Sequence, residues 1–268
     1  MLIEKLLAAI TFHYDHTRLE YLKRVCLCIP SLAFDYKVLV VTNAEDENSL
    51  NKIRVALQSL PKYELISHPV IGHPYFLTWA HLPIFKKYFL SDANFSHFMY
   101  LEDDIQIAPH NINYFLRGRH ELRELGFYPS FIRYEVNCIN KRWYATDITK
   151  LLQFKKLSKI ELTVNYAFLN SPQPYQGMYL MDQEMMSEFF NSPASSPDFG
   201  SWHIREKATQ ALTFVDVPKH FSSRNLLGYN VSKKIIDPGA LIEHLPGNYA
   251  NDPCSPFGKV PIEDLIRF

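Results

Sequence analysis

Three carboxylates, Glu102, Asp103 and Asp104, stand side by side in the stretch HFMYLEDDIQIAP, residues 97–109. They follow directly on Phe98–Leu101, a continuous apolar run of the kind that forms a strand buried on both faces of a mostly parallel sheet. At strand periodicity Glu102 and Asp104 point to one side and Asp103 to the other. Neighbouring acids repel one another, so a fold that presents them together normally supplies a cation. Oxygen donors at the carboxyl end of a parallel strand suit Mg²⁺ or Mn²⁺, with coordination positions left for phosphate oxygens. The plain alternative is a solvated acidic turn.

Other residues that could do chemistry sit at the ends of further apolar runs. Thr11 and His13 follow Leu6–Phe12, and Asn43 and Asp46 follow KVLVVT, residues 37–42. They either meet a ligand at the carboxyl edge of the sheet or cap the helices that come next. Gln176 and Gly177 open the run YQGMYLMD, and a glycine there lets a ligand approach the backbone. Arg133 and Glu135 share one face of FYPSFIRYE, where they either pair with each other or line a cleft. His244 lies between aliphatic residues and before Pro246, in the position of a ligand or of a packed core histidine.

The elements that must carry these residues read as an α/β chain. Leu6–Phe12, Lys37–Thr42 and Tyr63–Ser67 are expected strands, separated by amphipathic helices that end at Pro30 and Pro61. Thr17-Arg18-Leu19-Glu20 has the form of a capping box with Thr17 as N-cap. This β-α-β-α-β opening predicts a doubly wound half-sheet with its ligand at the strand carboxyl ends. Leu77–Phe89 is an expected helix restarted at Pro83, in which Trp79 and His81 either face the ligand or fill the core. A helix from Ile112 to Leu122, a strand over Phe127–Glu135, an irregular excursion over Tyr144–Lys159, a strand over Tyr175–Asp182 and a helix through Met185–Phe190 continue the chain. The polar stretch NSPASSPDFGS, residues 191–201, reads as a substrate loop leading into a helix that opens on Trp202-His203-Ile204-Arg205-Glu206. Residues 247–268 are expected to wrap the surface. No linker divides the chain, so a single domain of 268 residues is expected, with halves at 1–110 and 111–268.

Bulk composition narrows the function. The 28 basic and 28 acidic side chains cancel, which leaves no global field to recruit nucleic acid or an anionic membrane. Nine glycines and no GxGxxG argue against a dinucleotide site with a glycine-rich turn. Cys26, Cys28, Cys138 and Cys254 follow no zinc or redox spacing and read as reduced thiols. The amino-terminal apolar run is short and carries Glu4 and Lys5, and no run approaches the roughly 20 apolar residues of a bilayer span. A cytoplasmic, bacterial protein is the expectation.

The stretch YLEDDIQIAPHNINYF resembles the metal-binding segment of GT-A glycosyltransferases, and locally the EDD variant found in the N-acetylglucosaminyltransferases of N-glycan branching. The resemblance implies a GT-A-like, Rossmann-like, mostly parallel sheet with helices on both faces. It implies a nucleotide-sugar donor, favouring UDP, a carbohydrate acceptor, Mn²⁺ or Mg²⁺, and an inverting transfer. Carried over residue by residue, Asp104 binds the metal, and Glu102 and Asp103 contact the nucleotide sugar or metal-bound water. Asn43 or Asp46 takes the nucleoside contact with Thr11 and His13 nearby, Gln176 and Gly177 underlie the donor sugar, and His244 completes the metal shell. WHIRE is similar to the acid-bearing helix start that faces the acceptor, which makes Glu206 the expected base and Asp198 its rival. In place of the family's usual acidic pair, this chain has Arg205-Glu206. The implied activity is a hexosyl- or N-acetylhexosaminyltransferase of surface polysaccharide or glycoconjugate synthesis. A metal-dependent phosphohydrolase and a non-catalytic sugar-binding module are the competing classes.

Overall fold

A computed structural model describes residues 1–68, 72–91 and 93–268. The chain divides into two compact units that interleave in sequence: Leu2–Gln106 with Gly177–Leu212, and Met1 with Ile107–Gln176 and Thr213–Phe268.

The first unit is built on a five-stranded sheet. Strands β1 (Ile3–Phe12), β2 (Ala33–Thr42), β3 (Tyr63–Ser67) and β4 (His97–Glu102) run parallel in the order β4-β1-β2-β3, and Met178–Asp182 adds an antiparallel edge beside β4. The apolar runs explain the order: Leu6–Ile10, Val38–Val41 and Phe98–Leu101 are all buried, as strands covered on both faces must be. Helices α1 (Leu19–Cys28), α2 (Glu47–Leu57) and α3 (Leu82–Phe89) supply the connections. The expected strands and helices are present, with β1 and β2 starting earlier than the apolar runs suggest. Two local expectations are corrected. Asp15, and not Thr17, accepts the capping hydrogen bond, and it heads a 3₁₀ turn over His16–Arg18 before α1 begins. The Leu77–Phe89 helix is a 3₁₀ segment over Pro74–Trp79 followed by α3, because Pro83 can sit only in a helix's first turn.

The second unit holds two small sheets and a two-stranded parallel pair of Leu152–Gln153 with Ile266–Arg267. One runs Lys159–Thr163, Tyr166–Asn170, Asn225–Asn230 and Ile235–Ile236, with Tyr128–Pro129 alongside Asn225–Leu226. The other places Ile132–Val136 between Trp143–Ala145 and Leu241–His244, with Val260–Pro261 outside. The single strand expected over Phe127–Glu135 is thus two strands that belong to different sheets. The helix Pro109–Leu122 is present; its Asn111 amide donates to the carbonyls of Gly239 and Leu241. The excursion at 144–159 is mostly irregular, with Leu152–Gln153 and a 3₁₀ turn at Phe154–Lys156 inside it.

Candidate active site

The carboxyl ends of β1, β2 and β4 lie side by side, since Thr11 is in register with Glu102 and Phe12 with Thr42. This edge gathers Thr11, His13, Asn43 and the acid triplet, as sequence periodicity requires of parallel strands. Strand geometry ends at Glu102, however, and Asp103 and Asp104 occupy a turn. The strict alternation expected of the triplet therefore fails at its last two members, whose carboxylates converge on one cation.

That cation is Arg18. Its Nε donates to Asp103 Oδ2 at 2.9 Å and its Nη2 to Asp103 Oδ1 at 2.9 Å, a bidentate fork. The same Nη2 donates to Asp104 Oδ2 at 2.8 Å. Both aspartates are buried, at 8% and 7% exposure, whereas the Arg18 side chain is one-third exposed. Burial pushes the Asp103 carboxyl up to about 6, with the neighbouring Asp104 charge adding to burial and the Arg18 guanidinium opposing it. Burial alone would lower the Arg18 guanidinium, but its hydrogen bonds to Asp103 and Asp104 carry it above its usual range. The Asp15-capped turn fixes where Arg18 starts, because Asp15 Oδ1 accepts from both the Thr17 amide and its hydroxyl at 2.8 Å.

Around this clamp the remaining edge is ordered. Thr11 Oγ1 and Tyr100 Oη are 2.8 Å apart, and burial together with the Glu102 charge raises the Tyr100 phenol above its usual range. Asn43 Oδ1 accepts from the Tyr14 amide at 2.7 Å and its Nδ2 lies 3.4 Å from His13 Nε2, so Asn43 braces the loop after β1. Asp46 caps α2 by accepting from the Ser49 amide at 2.9 Å, and Ser49's hydrogen bonds hold its carboxyl below the usual range.

Gly177 has φ +65°, and its carbonyl accepts from the Glu102 amide at 3.0 Å. A Cβ at position 177 would lie 3.1 Å from Ile105 Cγ1 and 3.2 Å from Glu102 Oε2, so glycine is required by both backbone and space. Gln176, the last residue of its segment in the second unit, accepts through its side-chain oxygen from the Phe131 amide at 2.8 Å.

Glu206 lies in the first turn of the helix Ile204–Gln210, which Trp79 steadies by donating from Nε1 to the Ile204 carbonyl at 2.9 Å. One oxygen of Glu206 faces Arg205 at 3.5 Å; the other, Oε2, is occluded and has no hydrogen-bond partner among the described residues. Asp198 is exposed in the turn before the helix, with Lys207 Nζ tying that turn down through the Pro197 carbonyl at 2.9 Å. Trp79 and His81 are both buried; His81 Nε2 lies 2.6 Å from Tyr179 Oη and its ring stacks on Tyr100.

His244 belongs to the second unit. Leu241–His244 runs parallel to Ile132–Val136, which sets Glu135 beside it. His244 Nδ1 donates to Glu135 Oε1 at 2.6 Å, and Glu135 Oε2 accepts from the Tyr249 and Ala250 amides at 2.8 and 2.6 Å. Arg133 forks onto Asp147 at 2.6 and 2.9 Å and lies over the Tyr175 ring. Sequence reasoning missed Arg18 as the partner of the aspartates, and the only local signal, TRLE, pointed to a helix cap.

No protein-family model and no curated protein matches the chain. Solved structures do. The structure of GalNAc-T7 with UDP, GalNAc and Mn²⁺ superposes with a TM-score of 0.51 at 9% identity, over 91% of this chain and 43% of that one. The mannosyltransferase PcManGT of Pyrobaculum calidifontis with GDP-Man and Mn²⁺ gives 0.35 at 11% identity, over 48% and 35%. S. aureus TarS 1–349 gives 0.42 at 12% identity, over 77% and 56%. The chain therefore spans less than two-thirds of each of these proteins. The fold is the glycosyltransferase-like GT-A fold, as the parallel sheet and the resemblance around the acid triplet lead one to expect. Among the described residues no helix is long and apolar enough to cross a membrane.

Proposed function

We propose that the chain is a metal-dependent glycosyltransferase that moves a sugar from a nucleotide sugar, a UDP-sugar by preference, to a carbohydrate acceptor with inversion. The observation that carries this reading is the convergence of Asp103 and Asp104 on a single cationic nitrogen at the carboxyl end of β4, in a GT-A fold. Two hard carboxylates that hold one guanidinium nitrogen at 2.8–2.9 Å are a donor set that fits Mg²⁺ or Mn²⁺. Among the described residues no group of three or more His, Cys, Asp or Glu side chains is assembled for a metal.

In this proposal Asp104 binds the metal, while Glu102 and Asp103 orient the donor and metal-bound water. Bound there, the ion would neutralise charge on the departing diphosphate. Asn43 and His13, with Thr11 and the cap Asp46, border the nucleoside position. Gly177, where a side chain would strike Glu102, and Gln176 underlie the sugar. His244 is proposed as a metal ligand through Nε2, because a metal-binding imidazole characteristically donates its other N–H to a carboxylate, as Nδ1 does to Glu135. Glu206 is the proposed base that takes the acceptor hydroxyl's proton, favoured over the exposed Asp198 by its occluded, unpartnered Oε2. The same proposal includes hexosyl or N-acetylhexosaminyl transfer in surface polysaccharide or glycoconjugate synthesis.

Incubation with a panel of UDP- and GDP-sugars, with and without Mn²⁺, tests the reading through released nucleotide. Release that needs Mn²⁺ is expected. Release of inorganic phosphate from simple phosphoesters, without nucleotide-sugar turnover, would mark a phosphohydrolase. Binding of sugar with neither would mark a sugar-binding module.

A further inference from the structure

Arg18 occupies oxygens of both aspartates that the proposed metal would use. Asp103 Oδ1 and Asp104 Oδ2 both accept from its Nη2, and Nε completes the fork on Asp103. Three of the pair's four oxygens accept from Arg18, and a divalent ion that used both carboxylates would sit at contact distance from the guanidinium, where like charges repel strongly. We propose that Arg18 is a latch: it neutralises the aspartate pair when donor is absent, and it must swing away before the pair can take a metal. The proposal rests on the metal-dependent reading above and adds a residue and an order of events to it.

Three features suit a latch better than a fixed brace. The guanidinium is one-third exposed while its two partners are buried, so the cation and not the carboxylates can leave. It is carried on a short 3₁₀ turn outside the sheet, held by Asp15, and not on a core strand. A freed guanidinium keeps its planar fork, which is the geometry that recognises phosphate oxygens bidentately. Arg18 would then exchange a carboxylate partner for the donor's diphosphate as the metal takes the carboxylates. Metal and nucleotide thereby favour each other's binding, and the coupling is reciprocal. The cost of the closed latch appears as weak metal binding when nucleotide is absent, since only the open fraction is competent.

The test is Mn²⁺ binding to the full chain, read from the electron paramagnetic resonance of free Mn²⁺, without nucleotide and with saturating UDP. Without nucleotide, Arg18→Gln is expected to bind Mn²⁺ about 10–100-fold more tightly than the parent protein. Arg18→Lys, which keeps the charge but loses the fork, falls between them. With UDP present the parent gains affinity strongly and Arg18→Gln gains little, so the difference closes. Circular dichroism checks that each variant is folded, and Arg18→Lys carries the test if Arg18→Gln is not. Equal or weaker Mn²⁺ binding by the variants without nucleotide overturns the latch, as does the absence of any binding at millimolar Mn²⁺. Nucleotide release from UDP-sugars by the parent protein reports separately on the transferase reading. A latch that fails beside Mn²⁺-dependent release leaves that reading intact, and tighter metal binding without release separates them the other way.

Discussion

Among the described residues, carboxylates are buried in two places and held differently. Asp103 and Asp104, at the end of β4, are met by one guanidinium that remains partly in water. Glu135, fully buried in the second unit, is met by the His244 imidazole and two backbone amides. Backbone amides cannot leave without unfolding the loop that bears them, so Glu135 is locked. An arginine on a surface turn can leave, so the aspartate pair is exchangeable. The contrast separates a carboxylate used to orient a neighbour from carboxylates available to a ligand. It follows from the partners alone, since a hydrogen bond's replaceability depends on what else holds the donor in place.

The largest expected effect belongs to turnover. Glu206→Gln should lose roughly 10²–10⁴-fold in transfer while still binding UDP, and Asp198→Asn should stay near the parental rate. The reverse pattern in steady-state assays would move the base into the exposed turn.

Stability sharpens the comparison next. Glu135→Ala leaves the Tyr249 and Ala250 amides and His244 without their acceptor, and should cost about 3–5 kcal/mol in urea denaturation. Asp104→Asn should cost far less, because it relieves repulsion from Asp103. Equal losses at the two sites would erase the distinction between locked and exchangeable acids.

His244→Ala should raise the Mn²⁺ requirement of turnover by about 10–100-fold. Normal metal dependence with a large fall in melting temperature would make His244 part of the lock only.

A third buried group, His81, provides a pH test with a definite sign. Burial lowers its imidazole to about 3, against an ordinary 6.5. The unfolded chain therefore binds the extra proton first, and stability present above pH 6.5 is lost as pH falls from 6.5 towards 3. Between pH 7 and pH 5 this group should remove about 2 kcal/mol. His81→Gln should show a correspondingly shallower loss over that interval; a parallel loss would mean that other groups govern it.

Much of the first unit was legible from sequence because its signals are local. Buried parallel strands are continuous apolar runs, as at Val38–Val41 and Phe98–Leu101, and their carboxyl ends announce the edge where Thr11, Asn43 and Glu102 meet. What was not legible is set by partners distant in the chain. Arg18 lies 85 residues from Asp103, inside a motif that reads equally well as a cap. Glu135 and His244 are 109 residues apart and meet only because two short strands pair in parallel. The antiparallel pairing of Tyr166–Asn170 with Asn225–Asn230 escaped notice, since short, part-polar segments carry a weak periodic signal. Asp15 displaced Thr17 as cap because the turn before α1 is 3₁₀, which no residue pattern announced.

The most direct test of the central claim is calorimetric titration of UDP, with and without Mn²⁺, into the parent protein and Asp104→Asn. UDP binding that depends on Mn²⁺ in the parent and disappears in Asp104→Asn, at an almost unchanged melting temperature, is the predicted result. Parental affinity for UDP and Mn²⁺ in a folded Asp104→Asn protein would contradict it and remove the metal from the aspartate pair.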